Sequence, residues 1–119
     1  MLDRLPRHLI RAEGIAVAAA AIVLFFHEGY PWWVLVVLAL APDLSAIGYV
    51  FGPRVGAASY DAFHTYVGPI VLGLAGVVWS NDAATMIALV WFTHIGIDRA
   101  VGYGLKYPTG FKDTHLQRI

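Results

Sequence analysis

Four apolar stretches separated by short polar connectors constrain this chain more than any other feature of its sequence. An α-helix needs about 20 apolar residues to cross the hydrocarbon core of a bilayer, and each stretch is near that length. Short connectors make consecutive helices antiparallel neighbours. The sequence therefore predicts an all-α fold, a four-transmembrane-helix antiparallel bundle forming one integral membrane domain over residues 1–119. The stretches cover about residues 9–26, 32–51, 57–79 and 83–103.

The composition excludes several classes of function. Only 13% of the residues are charged and 59% are hydrophobic, whereas soluble domains carry about 25% charged residues, so membrane lipid is the expected surrounding. The formal net charge is zero, which leaves no basic surface for nucleic acid, and no nucleic-acid partner is expected. Cysteine is absent, so disulfides and thiolate ligands are excluded and any metal must bind His, Asp or Glu.

Basic residues segregate between the connectors. They lie before the first stretch, in the second connector, and at or after the end of the fourth stretch, and none lies in the first or third connector. By the positive-inside rule, both termini are cytoplasmic in a multi-pass protein of the bacterial inner membrane. The tail, residues 105–119, is too polar for a fifth span and either lies along the inner surface or folds back under the bundle. The basic residues are Arg4, Arg7, Arg11, Arg54, Arg99, Lys106, Lys112 and Arg118.

Ionisable residues interrupt the cytoplasmic halves of all four predicted helices. At about 1.5 Å rise per residue, most of them lie roughly 6–14 Å inside the inner boundary. Each costs on the order of 2.5–3.5 kcal/mol to insert, so they are expected to face inward and pair. Asp61 is interpreted as a residue near a helix start, and Pro42 and Pro69 are predicted to open the second and third helices near this level. The interrupting residues are Glu13, Asp43, Asp61, His64, His94, Asp98 and Arg99.

Four of these residues are predicted to form the donor set for a divalent metal. His94 and Asp98 share a helix face at i, i+4 spacing, and two imidazoles with two carboxylates suit Zn, Mn or Fe. A bound metal would generate hydroxide for attack on an ester or phosphoester of a lipid-like or small amphiphilic substrate. Glu13 is the predicted general base, and Arg99 or Arg54 the group that neutralises a phosphate. The predicted ligands are Asp43, His64, His94 and Asp98.

Three other interpretations compete with a metal-dependent hydrolase. The same residues can form a buried hydrogen-bond network that only ties the helices together. An ion- or proton-coupled small transporter would use Glu13 as its coupling carboxylate and would require a homo-oligomer, which the Gly and Ala residues of the first and third helices permit. A haem-binding membrane protein would use His64 and His94 as axial ligands.

Several segments carry a resemblance to known families. APDLS (residues 41–45), GPRVGA, YDAFHTYVGP (60–69) and HIGIDRAVGYGLKYPTGFKDTHL (94–116) resemble an uncharacterised family of small bacterial four-helix membrane proteins, a domain of unknown function. The resemblance covers nearly the whole chain and implies the fold without an activity.

A more distant resemblance links the chain to the membrane-bound metal-dependent hydrolase family. It rests on Asp43 after a proline, on His64, and on His94 with Asp98 followed by glycine and K-Y-P. It implies metal binding and hydrolysis at these positions. That family carries further acidic and histidine residues near its P-D and a second histidine near the position of His64, so this chain has fewer candidate ligands.

Overall fold

Helices account for almost all of the described chain, which covers residues 4–106 and 114–118 in this computed structural model. Within the described residues, four segments are long and apolar enough to cross a membrane: Leu5–His27, Trp32–Phe51, Pro53–Val78 and Asp82–Val101. The prediction of an all-helical chain with four such segments is therefore confirmed. The elements are α1 (Leu5–His27), α2 (Trp32–Leu38), a 3₁₀ segment (Ala41–Phe51), α3 (Pro53–His64), α4 (Val67–Val78), α5 (Asp82–Val101) and α6 (His115–Arg118).

Two of the four spans are interrupted near prolines. The second span is α-helical only to Leu38 and continues as the 3₁₀ segment, whose second residue is Pro42. The third span breaks after His64, where Thr65 is extended with ψ of 158°. Pro69 lacks the N–H that would bond to the carbonyl of Thr65, which removes one hydrogen bond that would carry the helix through this point.

Helix ends differ from the sequence-based bounds in ways that change how one residue is interpreted. The third span begins at Pro53, four residues earlier than predicted. Asp61 therefore lies in the last turn of α3, and its interpretation as a helix-start residue was wrong. The earlier start follows from proline at the first helical position, where the missing N–H costs nothing and the fixed φ suits a helix.

α5 lies close against α1. A Cβ atom on Gly14 would lie 2.5 Å from the Cβ atom of Arg99, and one on Gly96 would lie 2.7 Å from the main-chain nitrogen of Ala18. Glycine at both positions therefore lets the two backbones approach closely, as small residues do between membrane helices. The buried face of α1 consists of Gly14, Ala18, Ala21 and Phe25.

The 3₁₀ segment packs against α3. Ser59 donates its hydroxyl to the carbonyl of Ser45 at 2.7 Å, and Gly48 leaves space for the side chain of Ser59. Eleven residues of 3₁₀ helix is long for this conformation, which rarely exceeds four. The contact with α3 holds this segment beside the end of α3 where His64 lies.

The end of the chain folds back onto the helices. Lys106 forms an antiparallel β-bridge with Thr114, and the side chain of Leu116 is fully buried. The main-chain N–H of Lys106 donates to Oδ1 of Asp61 at 2.6 Å, which ties this turn to α3. We call residues 105–106 and 114–118 the C-terminal strap; residues 107–113 of the predicted tail, with Lys112, and residue 119 lie outside the described residues.

Candidate metal centre

Four side chains from three consecutive spans converge on one point. The Nε2 atoms of His64 and His94 are 3.2 Å apart. Oδ1 of Asp43 lies 3.1 Å from Nε2 of His64 and 3.2 Å from Nε2 of His94. Oδ2 of Asp98 lies 3.6 Å and 3.3 Å from the same two nitrogens. We call these residues the His/Asp cluster; one ligand atom from each lies within 4.8 Å of the others.

A main-chain carbonyl fixes the tautomer of each imidazole. Nδ1 of His64 lies 2.7 Å from the carbonyl oxygen of Tyr60, and Nδ1 of His94 bonds to the carbonyl oxygen of Ala39. A carbonyl only accepts, so Nδ1 carries the proton in both rings. In the neutral imidazoles, both Nε2 atoms therefore present lone pairs toward the interior of the cluster.

The cluster gathers electron-rich atoms without protons of its own. Two Nε2 lone pairs and two carboxylate oxygens face one another, and Oδ2 of Asp98 is buried with no hydrogen-bond partner among the described residues. Such an arrangement is repulsive unless a cation or additional protons lie between the atoms. The two Nδ1–H···O=C bonds are the outer-shell contacts that orient metal-binding histidines in proteins.

The spacing of the four atoms fits a tetrahedral metal. Zinc bonds to nitrogen and oxygen of about 2.0–2.1 Å place tetrahedral ligand atoms about 3.3 Å apart. The five cluster separations given above lie between 3.1 and 3.6 Å. Two imidazoles and two carboxylates are also the ligand types that zinc, manganese and iron accept. The described residues therefore have the donor atoms and the spacing for one divalent ion.

The same spacing argues against haem. Axial histidines bind opposite faces of the porphyrin, so their Nε2 atoms lie about 4 Å apart, twice a metal–nitrogen bond of about 2.0 Å. His64 and His94 bring these atoms to 3.2 Å, with Oδ1 of Asp43 equally close. This arrangement leaves no space for a porphyrin between the two rings.

Among the four cluster residues, Asp43 is the most exposed. The side chains of His64 and His94 are 0% and 6% exposed, and that of Asp98 is 14% exposed. The side chain of Asp43 is 49% exposed. Asp43 is therefore the cluster residue most accessible to a ligand from outside.

The structure places the two predicted catalytic residues outside this group. Arg99 is buried behind His64, where its guanidinium donates to the carbonyl of His64 at 2.6 Å and to that of Tyr103 at 2.9 Å. Arg99 thereby supplies a hydrogen-bond donor to the carbonyl of the last residue of α3, where the helix breaks before Thr65. Glu13 is exposed on α1, and no carboxylate oxygen of Glu13 belongs to the converging set. Arg54 is exposed in the first turn of α3.

Two residues that were not predicted as part of the site lie near the cluster, Tyr60 against His64 and Lys106 against Tyr60. The ring of Tyr60 stacks on the imidazole of His64, with centroids 3.7 Å apart and planes within 5°. The ammonium group of Lys106 lies 4.5 Å from the centroid of the Tyr60 ring. Burial lowers the pKa of Lys106, while Asp61 acts in the opposite direction. The i, i+4 spacing of Tyr60 and His64 was the available signal, because it places both on one helix face.

Comparison with known proteins identifies the family without an activity. No curated protein and no solved structure matches the chain. Nothing in these comparisons supports the distant resemblance to metal-dependent hydrolases. A family model described as a domain of unknown function, DUF4260, matches residues 7–119. The chain therefore belongs to the DUF4260 family.

Proposed function

We propose that this protein is a membrane metalloprotein that binds one divalent metal at the His/Asp cluster and uses it to hydrolyse an ester or phosphoester of a lipid-like molecule. One observation carries the proposal. Two imidazole lone pairs and two carboxylate oxygens converge at the separations of a tetrahedral metal site. The Nδ1–H group of each imidazole already donates a hydrogen bond to a main-chain carbonyl.

The unequal exposure of the four ligands favours a catalytic over a purely structural site. Structural zinc sites are closed by four protein ligands, whereas catalytic sites keep three and leave one position for water or substrate. His64, His94 and Asp98 are the buried ligands, and Asp43 is the exposed one. Water or a substrate oxygen would displace Asp43, whose carboxylate would then lie beside the activated water as a base.

The distribution of charge supports the proposed orientation. The surface of the described spans supports their placement in lipid. Large apolar side chains cover their outside, with Val50, Val77 and Trp79 each at least 71% exposed, as expected of residues that face lipid. We propose an antiparallel bundle in the bacterial inner membrane, with both termini and the His/Asp cluster in the cytoplasmic half.

Metal titration of chelator-treated protein in lipid nanodiscs tests the binding step. We expect one Zn²⁺ or Co²⁺ per chain, and visible absorption of Co²⁺ at the intensity of a tetrahedral site. His94→Ala and Asp98→Ala should weaken binding at least 100-fold. The matched controls are His27→Ala and Asp82→Ala, whose side chains are exposed at the last residue of α1 and the first residue of α5. The absence of stoichiometric binding to zinc, cobalt, manganese or iron contradicts the proposal, as does equal loss in the controls.

Turnover of metal-loaded protein tests the hydrolytic step separately. A panel of long-chain nitrophenyl esters and phosphodiesters in nanodiscs supplies both bond types. We expect metal-dependent release of nitrophenol that Asp43→Asn reduces at least 100-fold while one metal per chain remains bound. Stoichiometric metal with no turnover of either bond type contradicts hydrolysis and leaves metal binding intact.

A further inference from the structure

We propose that an apolar cavity beside the His/Asp cluster binds the hydrocarbon chain of the molecule whose polar group lies at the metal. This inference rests on the proposed function and adds a subsite to it. The cavity has a volume of about 250 Å³ and lies between the second span, α3 and α5. Its lining includes Leu38, Ala41, Pro42, Phe63, Val90 and Trp91.

The cavity lies beside the cluster, because residues that line the cavity are adjacent in sequence to proposed ligands. Pro42 precedes Asp43 and Phe63 precedes His64, so two lining residues are covalent neighbours of two proposed ligands. On α5, Val90 lies one helical turn before His94, nearer the middle of the helix. These neighbours place the cavity beside the cluster, on the side toward the middle of the spans, where lipid hydrocarbon surrounds the protein.

The walls of the cavity favour a hydrocarbon occupant. Its lining residues are apolar, and the one N–H among their side chains, Nε1 of Trp91, already donates to the carbonyl of Phe63 at 2.7 Å. A polar ligand would find few groups there to replace its hydration. Phe63 is 48% exposed and Ile87 is 42% exposed, so the cavity opens on the apolar outer surface of the spans.

Size and position together define the ligand class. Pockets for drug-sized ligands measure roughly 300–1,000 Å³, so about 250 Å³ fits one short chain or part of a longer one. The exposed carboxylate of Asp43 marks where the polar end would enter the cluster. The ligand class is thus a single-chain amphiphile, or one chain of a lipid, with its reactive group at the joint between tail and head.

Chain-length dependence of hydroxamate binding tests the subsite on metal-loaded protein in nanodiscs. Hydroxamates chelate the metal, and octanohydroxamate differs from acetohydroxamate only in its tail. We expect the affinity ratio of the two to be at least ten-fold in the unmodified protein. Ala41→Phe fills the cavity and should cut that ratio to below three-fold. The control Ala19→Phe adds the same ring on the exposed face of α1 beside Ile15 and Val23 and should preserve the ratio.

Fluorescence quenching tests the same subsite without metal. In a protein whose other three tryptophans are replaced by phenylalanine, Trp91 reports on the cavity. Bromo-octanoate at low mole fraction should quench Trp91 at least twice as strongly as in the Ala41→Phe variant, and Ala19→Phe should not change the quenching.

The two proposals fail in different measurements. Quenching and chain-length ratios that are equal in Ala41→Phe and the unmodified protein contradict the cavity assignment, whatever the metal titration gives. Absence of metal contradicts the proposed function, and in that case the quenching of Trp91 alone decides the cavity assignment.

Discussion

The imidazole of His94 donates its Nδ1 proton to the main-chain carbonyl of Ala39, in a different span. This carbonyl has no main-chain partner within its own span because of Pro42. In a 3₁₀ pattern its partner would be the N–H of residue 42, which proline lacks. In an α pattern the partner would be the N–H of Asp43, which instead donates to Leu40 at 3.1 Å. Pro42 therefore leaves the carbonyl of Ala39 free to accept the hydrogen bond that orients His94, a proposed ligand.

Pro42→Ala should weaken metal binding without unfolding the protein. The new N–H at position 42 would compete with His94 for the carbonyl of Ala39, and loss of an outer-shell bond to a metal ligand costs about 10–100-fold in affinity. Zn²⁺ titration in nanodiscs measures the effect. Pro53→Ala, at the start of α3 and outside the cluster, is the control and should bind as the unmodified protein does. Equal affinities in all three proteins would contradict this role of Pro42.

Arg99→Gln should lower stability before it affects any chemistry. The guanidinium satisfies two main-chain carbonyls, those of His64 and Tyr103, and an unsatisfied buried acceptor costs about 1–3 kcal/mol. Thermal unfolding in detergent should show a lower Tm for Arg99→Gln, and Arg54→Gln, whose side chain is exposed, should leave it unchanged. An Arg99→Gln protein with unchanged Tm and metal content but no turnover would instead support the catalytic role predicted from the sequence.

Gly14→Ala should separate α1 from α5. Its new Cβ atom would lie 2.5 Å from the Cβ atom of Arg99 and 2.6 Å from the carbonyl oxygen of Gly96, and neither can move without shifting a helix. Overpacking of this kind costs about 1–3 kcal/mol. Gly73→Ala is a matched control, because its Cβ atom would meet Ala88 at an ordinary 3.5 Å. Thermal unfolding of both variants measures the difference, and equal Tm values would be inconsistent with close packing at Gly14.

Acid should loosen the C-terminal strap through His115. Nδ1 of His115 accepts a hydrogen bond from the N–H of Leu105 at 2.7 Å, and protonation of that nitrogen removes the acceptor. Burial lowers the pKa of His115, the charge of Arg99 acts in the same direction, and Asp61 opposes them. The detached strap therefore binds the proton more readily than the docked one. Docking is complete above a pH of about 6.5, the ordinary histidine pKa, and weakens as the pH falls below it.

Hydrogen exchange of the Leu105 amide, corrected for its intrinsic pH dependence, measures this loosening. Protection should fall progressively below pH 6.5 in the unmodified protein. His115→Asn places a non-titrating acceptor at the same position, so its protection should not depend on pH in this range. Parallel pH profiles for the two proteins would rule out His115 as the titrating group.

Cysteine labelling tests the proposed orientation, because the chain contains no cysteine. Ser80→Cys, between α4 and α5, should react with a membrane-impermeant maleimide in intact cells. Arg54→Cys, at the start of α3, should react only after the inner face is exposed. The reverse pattern would invert the topology.

The sequence predicts most of the cluster because helical spacing and depth are local properties. His94 and Asp98 lie four residues apart, and rise per residue gives all four predicted ligands a similar depth. Depth does not give direction around a helix axis, however. Glu13 has a similar depth but is exposed on α1, because its neighbour Gly14 occupies the side of α1 that meets α5. Depth alone therefore does not tell which side of its helix Glu13 occupies.

The sequence by itself determined four apolar spans, the proline positions at which two of them are interrupted, and which ionisable residues lie at a common level. Only the tertiary structure decided which atoms meet there. The carbonyl of Ala39 and the guanidinium of Arg99 contact cluster residues through packing between elements distant in the chain. Residue type does not mark a main-chain carbonyl as a partner, because every residue has one. Its availability depends on where a helix breaks and on which side chain from another helix reaches it.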